Sequence, residues 1–352
     1  MKYPIIFIVI IVLFTGCGFQ EKGVFADNPI LIENFKKEMT LVSELFVDNK
    51  TSEFNEFSDI MCLDKYVILS FIDRNEYLFY VYNYERESIG SFVIHKGQGP
   101  NDLLTNVYCG QFYVDSTGTY LWINDVNKMK LCAINIDKSL STGECFIEKT
   151  IPSVPMAVNC FYSNDSLLIA ERMMPKNYHL LIKNLYSNII IADKPIYNFP
   201  VDDCFSTYKS TWKIKPDGTK YVLAMKSMNQ LNIGDLLTDK KIQLNIYNKN
   251  PKLEDIVNKE SGIEKHSYYI EVETTDKYIY GLYLDQPRED MYVKEKSLEI
   301  HVFSWDGDAV CKYIIPQYIE SFAVNETEGC ILGWDDGNEK LFKYKFNKSF
   351  FQ

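Results

Sequence analysis

The sequence has no excess of positive charge. Its 37 lysine and arginine residues stand against 48 aspartate and glutamate residues, which gives a net charge of −11 at pH 7. No basic stripe interrupts this acidic balance. Nucleic acids and anionic surfaces are bound through clustered lysine and arginine side chains. The composition therefore argues against nucleic acid as a partner.

The cysteines and histidines lack the spacing of a metal site. None of the nine cysteines forms a Cys-x-x-Cys pair, and no histidine pair has zinc spacing. A structural zinc site needs such pairs, so we expect no metal and no cofactor. The histidines are His95, His179, His266 and His301. Alternation places His301 on the outward face of a strand, which favours a solvated role for it.

Eight cysteines follow Cys17, and most of them stand inside apolar strands, as in Gly329-Cys330-Ile331. An exported location permits disulfides, but the irregular spacing does not require them. The residues are predicted to be buried free thiols or to include one or two bridges. They are Cys62, Cys109, Cys132, Cys145, Cys160, Cys204, Cys311 and Cys330.

Catalytic motifs are also missing. No Gly-x-Ser-x-Gly sequence is present, so α/β-hydrolase chemistry has no support, and we assign no catalytic residue. The segment Asp285–Asp290 is acidic but lacks the alternating oxygen ligands of a calcium loop, so a solvated loop is expected between Asp285 and Glu295. Paired carboxylates contributed by separate parts of the chain cannot be recognised from one sequence.

The N-terminus carries an export signal. Lys2 precedes the apolar run Pro4–Phe14, which is much shorter than the roughly 20 apolar residues of a membrane span. The sequence Leu13–Cys17 resembles the bacterial lipobox, although Phe14 replaces the usual leucine. This resemblance implies a signal peptide over residues 1–16 and lipidation of Cys17, followed by a tether over residues 17–29. A simple secretory signal with an incidental cysteine is the alternative.

The rest of the chain shows the alternation of short antiparallel strands. Between Leu298 and Phe346, runs of period two are separated by Asp/Asn/Gly turns such as Trp305–Asp308. Similar units recur at intervals of roughly 45 residues, which is typical of β-propeller blades. We predict an all-β, six-bladed propeller over residues 30–352, in preference to five or seven blades, a pair of β-sandwiches or a β-helix. The units are Phe57–His95, Gly110–Ile151, Ala157–Phe199, a fourth starting near Thr211, Tyr268–Ile315 and Tyr318–Phe346.

The last unit has only three evident strands, whereas Ile30–Val47 has strand character but no unit of its own. We therefore predict that this N-terminal segment completes the final blade and closes the ring, which would remove its open edges.

A glycine-rich segment follows the first unit. Lys96, Gly97, Gln98, Gly99, Pro100, Asn101 and Asp102 occupy consecutive positions after His95. The segment lacks the Gly-Lys-Ser/Thr end of a phosphate loop and no helix is expected after it. We interpret it as a crossover between blades with a possible binding role, in which Gly97 and Gly99 supply unusual dihedral angles and Pro100 stiffens the exit.

This segment resembles the Gly-x-Gly-Pro-(Asn/Gly)-(Glu/Asp) element that follows the first blade in the TolB-like six-bladed propeller lipoproteins of Bacteroidetes. Those proteins also begin with a lipobox, as at Cys17. The resemblance implies a six-bladed ring and an envelope location, with the outer membrane favoured because Gly18 is not the aspartate of many inner-membrane lipoproteins. It implies no catalytic residue. TolB itself is a partner-binding propeller.

Together these features favour an envelope lipoprotein that binds a protein, peptide or glycan on one propeller face. The alternative is a glycan-active enzyme, a lyase or a hydrolase, with its site in the central funnel. Histidine, tyrosine, arginine and carboxylate side chains converging at the channel mouth would favour the enzyme.

Overall fold

The computed structural model of the chain describes residues 22–48, 56–163, 166–257, 266–287 and 297–347, without the side chains of residues 47 and 48. Its strands form six sheets arranged as a six-bladed β-propeller, as predicted, and within each blade the consecutive strands pair antiparallel. Three strands precede the first blade. They are β1 (Ile30–Ile32), β2 (Glu38–Thr40) and β3 (Ser43–Asp48).

Blades 1 to 3 each consist of four consecutive strands, and the first of the four lies innermost. Blade 1 contains β4 (Glu56–Leu63), β5 (Tyr66–Ile72), β6 (Glu76–Asn83) and β7 (Ser88–His95). Blade 2 contains β8 (Val107–Asp115), β9 (Gly118–Asp125), β10 (Lys130–Asn135) and β11 (Ile147–Pro152). Blade 3 contains β12 (Ala157–Ser163), β13 (Leu167–Met174), β14 (Asn177–Asn184) and β15 (Ile190–Pro195).

Blades 4 to 6 incorporate the three N-terminal strands. Blade 4 contains β16 (Ser210–Ile214), β17 (Lys220–Met225), β18 (Gln230–Asp235) and β19 (Lys241–Ile246). Blade 5 contains β20 (His266–Thr274), β21 (Tyr278–Pro287), β22 (Leu298–Ser304) and β23 (Ala309–Ile315). Blade 6 contains β24 (Ser321–Asn325), β25 (Cys330–Asp335) and β26 (Lys340–Lys345).

The N-terminal strands are shared among three blades. β3 pairs antiparallel with β26 as the fourth strand of blade 6. In contrast, β1 and β2 pair in parallel with β19 and β23, so they add a fifth strand to blades 4 and 5. The prediction that Ile30–Val47 belongs to the final blade alone is therefore too simple. The segment is divided into three short strands, and each of them pairs with a different blade.

Residues that were assigned to the tether also pack against the propeller. Phe25 is fully buried, with its ring centroid 6.3 Å from that of Tyr197 and 6.2 Å from that of Tyr221. Its backbone N–H donates to Gln243 Oε1 at 2.9 Å. The side chain and backbone N–H of Asn198 donate to the carbonyl oxygens of Gly23 and Val24. The described part of the predicted tether thus contacts the propeller at Gly23, Val24 and Phe25, before residue 30.

The hydrophobic core is divided into six clusters, one between each pair of neighbouring blades. Alternate residues of a strand face opposite sides of the sheet, so each blade contributes one set of side chains to each of its two neighbours. In β6, every second residue is buried. This arrangement leaves the inner edge of each first strand facing the axis of the ring.

Three short helices interrupt the strands: α1 (Ile136–Thr142), α2 (Cys204–Thr207) and α3 (Leu253–Val257). The Asn135 side chain caps α1 by accepting from the Lys138 N–H, and Gly143 ends the helix with φ 76°. No helix in the part of the chain that the structure describes has the length and apolar character needed to span a membrane.

The structure also describes the cysteines and the start of the predicted charged loop. All eight cysteines after Cys17 are free thiols, and all but the half-buried Cys62 are buried. Asp285–Pro287, which we expected to begin a solvated loop, instead ends strand β21. The remainder of that predicted loop, over residues 288–295, lies outside the described residues.

Candidate functional site

The axis of the ring contains a cavity of about 150 Å³. Every blade contributes to its wall, which identifies it as part of the central channel. Most of the wall comes from the innermost strands, near the ends at which these strands leave the channel. The lining residues are Cys62, Tyr108, Gly110, Gln111, Phe112, Phe161, Pro216, Glu273, Thr274, Ala323 and Val324.

Charged side chains from three inner strands interact at this cavity. The Lys213 ammonium of β16 lies 2.8 Å from Glu273 Oε1 of β20 and 4.7 Å from the ring centroid of Tyr108 in β8. Glu271 stands two residues before Glu273 in the same strand, and Asp59 belongs to β4. Because side chains alternate along a strand, Glu271 and Glu273 share the channel face, whereas Val272 between them is buried in the core between blades 4 and 5.

Gly110 provides the space that the Lys213 side chain occupies. It has φ +67°, a left-handed conformation that disfavours residues with a Cβ atom. A Cβ atom at this position would lie 2.7 Å from Lys213 Cδ. Two separate constraints therefore require glycine at this position. One is the left-handed backbone conformation, and the other is the close approach of the Lys213 side chain.

The acidic side chains of this group outnumber its basic side chains. Burial raises the pKa of Asp59, Glu271 and Glu273 above their ordinary values, and the positive charge of Lys213 offsets part of each rise. Burial acts to lower the pKa of Lys213, but the charges of Glu273 and Asp59 outweigh it and raise the pKa. The positive charge of Lys226 also acts to lower the pKa of Glu271, but less strongly than that of Lys213. Three carboxyl groups thus share one close ammonium group, and the site can accept a proton or a further positive charge.

The channel group is not a metal centre by geometry. In the described ranges, no three side chains of histidine, cysteine, aspartate or glutamate are placed to hold one ion.

Hydrogen bonds within the predicted crossover segment fix its backbone. Gly97 N–H donates to the Leu103 carbonyl at 3.3 Å, and Gly99 N–H donates to Asp102 Oδ2 at 2.7 Å. Neither glycine has a left-handed φ, so the expectation of unusual dihedral angles is wrong. The physical reason is steric, because a Cβ atom on Gly99 would stand 2.7 Å from the Asp102 carboxylate, which also crowds Gly97.

The other residues of the segment hold it against the neighbouring strands. The Lys96 ammonium lies 4.7 Å from the Tyr77 ring centroid and donates to the Asp73 carbonyl. Lys128 Nζ donates to the Asp102 carbonyl at 2.9 Å. Gln98, Pro100 and Asn101 are exposed. The lining of the cavity includes none of the seven predicted residues, so the segment and the channel are separate features.

His301 does not face solvent, so that expectation is wrong. It is fully buried, with Nδ1 2.8 Å from Tyr269 Oη and Nε2 2.8 Å from Glu299 Oε2. The Phe35 ring from the N-terminal segment lies 4.5 Å from the imidazole centroid. Burial lowers the pKa of His301, whereas its hydrogen bond and the charge of Lys312 overcome the burial of Glu299 and lower the Glu299 pKa to about 2. This closed network stabilises the contact between blades 4 and 5.

The other histidines lie on the surface of different blades. His95 is 3.3 Å from Glu144 and His179 is 2.9 Å from Asp193. His266 is 3.5 Å from Asp285. The histidines therefore do not meet at the channel, and Cys17 lies outside the described residues.

Sequence reasoning missed Lys213, Asp59, Glu271 and Glu273. The alternation in Tyr268–Thr274 shows that Glu271 and Glu273 share a face. It does not show that the strand is innermost, and only that position brings the residues to the channel. The other two side chains come from distant parts of the sequence.

Solved structures share this fold. A member of the DUF4221 family from Bacteroides vulgatus has 16% identity and a TM-score of 0.55, with 88% of this chain and 96% of that chain covered. A protein from Bacteroides fragilis whose name marks it as a candidate exported protein has 11% identity and a TM-score of 0.51, with 90% and 99% covered. No curated protein matches the chain.

A family model provides the assignment. The model described as TolB-like 6-blade propeller-like matches residues 35–327, which is most of the chain and extends from the N-terminal segment into blade 6. The six sheets and the central channel agree with that description. The chain belongs to the TolB-like six-bladed propeller family.

Proposed function

We propose that this protein is an envelope lipoprotein that binds a partner through its propeller, with a positively charged group of a protein or peptide entering the central channel. The observation that carries this proposal is the excess of carboxyl groups around Lys213, one of which, Glu273, lines a cavity to which all six blades contribute. An amino glycan would present the same kind of charge.

Lys213 does not compensate all the negative charge that the neighbouring carboxyl groups can carry. Removing a carboxylate from water costs free energy unless an opposite charge or hydrogen bonds replace the solvent. Lys213 forms its ion pair with Glu273, at 2.8 Å, and leaves Asp59 and Glu271 with raised pKa values. A second cation close to these groups would lower both pKa values and gain favourable Coulomb energy.

A soluble cation allows a direct test. The mature protein would be titrated with Nα-acetyl-lysine methylamide and with the norleucine compound, which has an apolar side chain of similar length but no charge. We expect the lysine compound to raise the melting temperature, because a ligand that binds only the folded state stabilises it. The norleucine compound should have no comparable effect.

Two variants locate the effect. Glu271→Gln should abolish the stabilisation by the lysine compound, whereas Glu85→Gln, at an exposed turn, should preserve it. Equal stabilisation by the two compounds, or an undiminished response in Glu271→Gln, would contradict a cation site in the channel.

The lipid anchor is the second part of the proposal. It is supported by the lipobox-like sequence ending at Cys17 and by the name of the Bacteroides fragilis neighbour. Gly23, six residues after Cys17, contacts Asn198 of the propeller. Six residues reach at most about 20 Å, so the anchor would hold the propeller close to the membrane, which we propose to be the outer membrane.

Substituting the acylated residue tests the anchor. Cys17→Ser should move the protein from the membrane fraction to the soluble fraction, because the acyl chains provide the attachment. Metabolic labelling with an alkyne fatty acid should mark the native protein and leave the variant unlabelled. An unlabelled native protein, or a labelled variant, would show that Cys17 is not the acylation site.

A glycan-active enzyme is the second candidate function. The raised pKa values of Asp59 and Glu271 favour it, since a carboxyl group that remains protonated near neutral pH can act as a general acid. Release of oligosaccharides from envelope polysaccharide by the native protein, but not by Glu271→Gln, would support this candidate. Binding of the lysine compound without any such release would support the binding protein.

A further inference from the structure

We propose that the outer edge of blade 3 binds an extended apolar segment of a partner protein, which adds to β15 as a parallel fifth strand. We call the surface formed by Tyr186 and by residues 189–195 the blade 3 edge. This surface lies on the outside of the ring, so the proposal is independent of the channel site.

The protein itself shows what kind of segment its blade edges accept. On blade 4, β1 runs parallel to β19, with Ile30 opposite Leu244 and Ile32 opposite Ile246. On blade 5, β2 runs parallel to β23 in the same manner. Two neighbouring blades therefore carry a short added strand of the same orientation. The one on blade 4, Ile30-Leu31-Ile32, is wholly apolar, whereas the one on blade 5, Glu38-Met39-Thr40, is mixed.

Blade 3 has no such strand among the described residues, because β15 ends its sheet. Its side chains are nevertheless strongly apolar at this edge. Ile189, Ile190 and Ile191 are 59%, 55% and 59% exposed, and Tyr186 is 81% exposed. A cluster of exposed apolar side chains on a strand edge is typical of an interaction surface.

The backbone of the edge is also available. Ile196 N–H donates to the Tyr178 carbonyl, which fixes the hydrogen-bonding alternation between β14 and β15. By that alternation, Asp193, which stands opposite Leu181, directs its N–H and carbonyl away from β14. A strand that adds here can use these groups for the main-chain hydrogen bonds of strand addition.

Other free edges carry features that oppose strand addition. In β11 of blade 2, the exposed residues Glu148 and Lys149 place charges along the edge, and Glu148 pairs with Lys138 at 2.6 Å. In β7 of blade 1, Val93 already exchanges backbone hydrogen bonds with Gly143 and Cys145. Charged and covered edges are the usual protection against pairing with another chain. In blade 3 the charges and the proline of β15 stand at Asp193–Pro195, and residues 189–192 contain neither.

Neighbouring contacts define the length and rigidity of the site. The backbone of Asn198 is occupied by Val24 of the N-terminal segment, so an added strand can extend over residues 189–195 and no further in that direction. Asp193 accepts from Arg172 at 2.9 Å and lies 2.9 Å from His179, which holds β15 against the two strands before it. A rigid edge loses little conformational entropy when it binds. The fitting partner is thus an extended segment of up to about seven residues with branched apolar side chains.

The test uses the strand that already occupies the neighbouring edge. A fluorescein-labelled peptide with the sequence Asn28–Asn34 of this chain would be titrated into the mature protein, and the anisotropy followed. We expect saturable binding, and at least a tenfold loss of affinity when the central residues of the peptide are N-methylated. We also expect slowed hydrogen exchange in residues 189–195 when the peptide is bound.

Matched variants identify the edge. Ile191→Lys should weaken peptide binding at least tenfold, whereas Ile89→Lys, at an equally exposed position on β7, should leave it unchanged. Circular dichroism melts of both variants establish that they are folded. Absence of binding, equal binding by Ile191→Lys and the native protein, or exchange protection confined to β19 would each overturn the proposal. A native dimer that Ile191→Lys converts to a monomer would show that the edge is occupied by a second copy of the chain instead.

Discussion

Glu171 in β13 is 3% exposed, and its carboxyl group accepts a hydrogen bond from Asn159 at 2.6 Å. Burial raises its pKa from 4.5 to about 7, although the hydrogen bond opposes the rise. Since the folded protein holds the proton more tightly than the unfolded chain, this group contributes stability that is fully present below pH 4.5 and is lost as the pH rises through 7.

Replacing Glu171 with Gln should remove this dependence. We expect the free energy of unfolding of the native protein to fall relative to that of Glu171→Gln between pH 5 and pH 8, by about 3 kcal/mol at most. Urea titrations of both proteins over this range measure the difference. Glu85→Gln serves as the control at an exposed position. Parallel stability curves for the native protein and Glu171→Gln would contradict the raised pKa.

Two other groups, Glu299 and His301, act on the stability in the opposite direction. The pKa of Glu299 is lowered to about 2, and that of His301 is also lowered. Both groups contribute stability that is lost as the pH falls, the first below about 4.5 and the second below about 6.5. The absolute stability of the native protein thus combines opposing terms, and the difference between Glu171→Gln and the native protein isolates one of them.

At the scale of elements, the N-terminal segment is part of the folded domain rather than a connection to it. Phe25 and Ala26 belong to the core between blades 3 and 4, Ile32 to the core between blades 4 and 5, and Leu41 to the core between blades 5 and 6. Each short stretch has few contacts of its own, so its stability depends on the blade that receives it.

Phe25→Ala tests the contribution of this segment. The ring is fully buried between Tyr197 and Tyr221, so its removal should cost about 3 kcal/mol or more and shift the urea midpoint downwards. Val42→Ala is the matched control, because Val42 belongs to the same segment but is 79% exposed. If the two substitutions had equal effects, the segment would behave as a tether and the packing of Phe25 would contribute nothing.

At the scale of the whole molecule, the repeating plan could be predicted from the sequence because it depends on local signals. The predicted first unit, Phe57–His95, differs by one residue from the observed strands of blade 1, which cover Glu56–His95. Turns and period-two alternation are set by residues close together in the chain, and a single sequence contains both.

The features that could not be predicted depend on contacts between distant residues. The polar sequence around Phe25 gives no periodic signal, yet this side chain fills a gap between two blades. His301 alternates as an outward residue would, but a neighbouring blade and Phe35 cover it. Lys213 and Asp59 meet Glu271 only because three inner strands surround one axis.

The division of the N-terminal strands among blades 4, 5 and 6 sets an order of assembly. Glu44 in β3 forms an ion pair with Lys345, 301 residues further along the chain, and β1 and β2 must likewise wait for β19 and β23. Blades 1 to 3, in contrast, consist of strands that are consecutive in sequence and can pair without waiting for later parts of the chain. The distant pairing of β1, β2 and β3 makes the closing step slow, because the entropy of a long loop must be lost before the contacts form. These N-terminal strands are therefore among the last to reach their final positions.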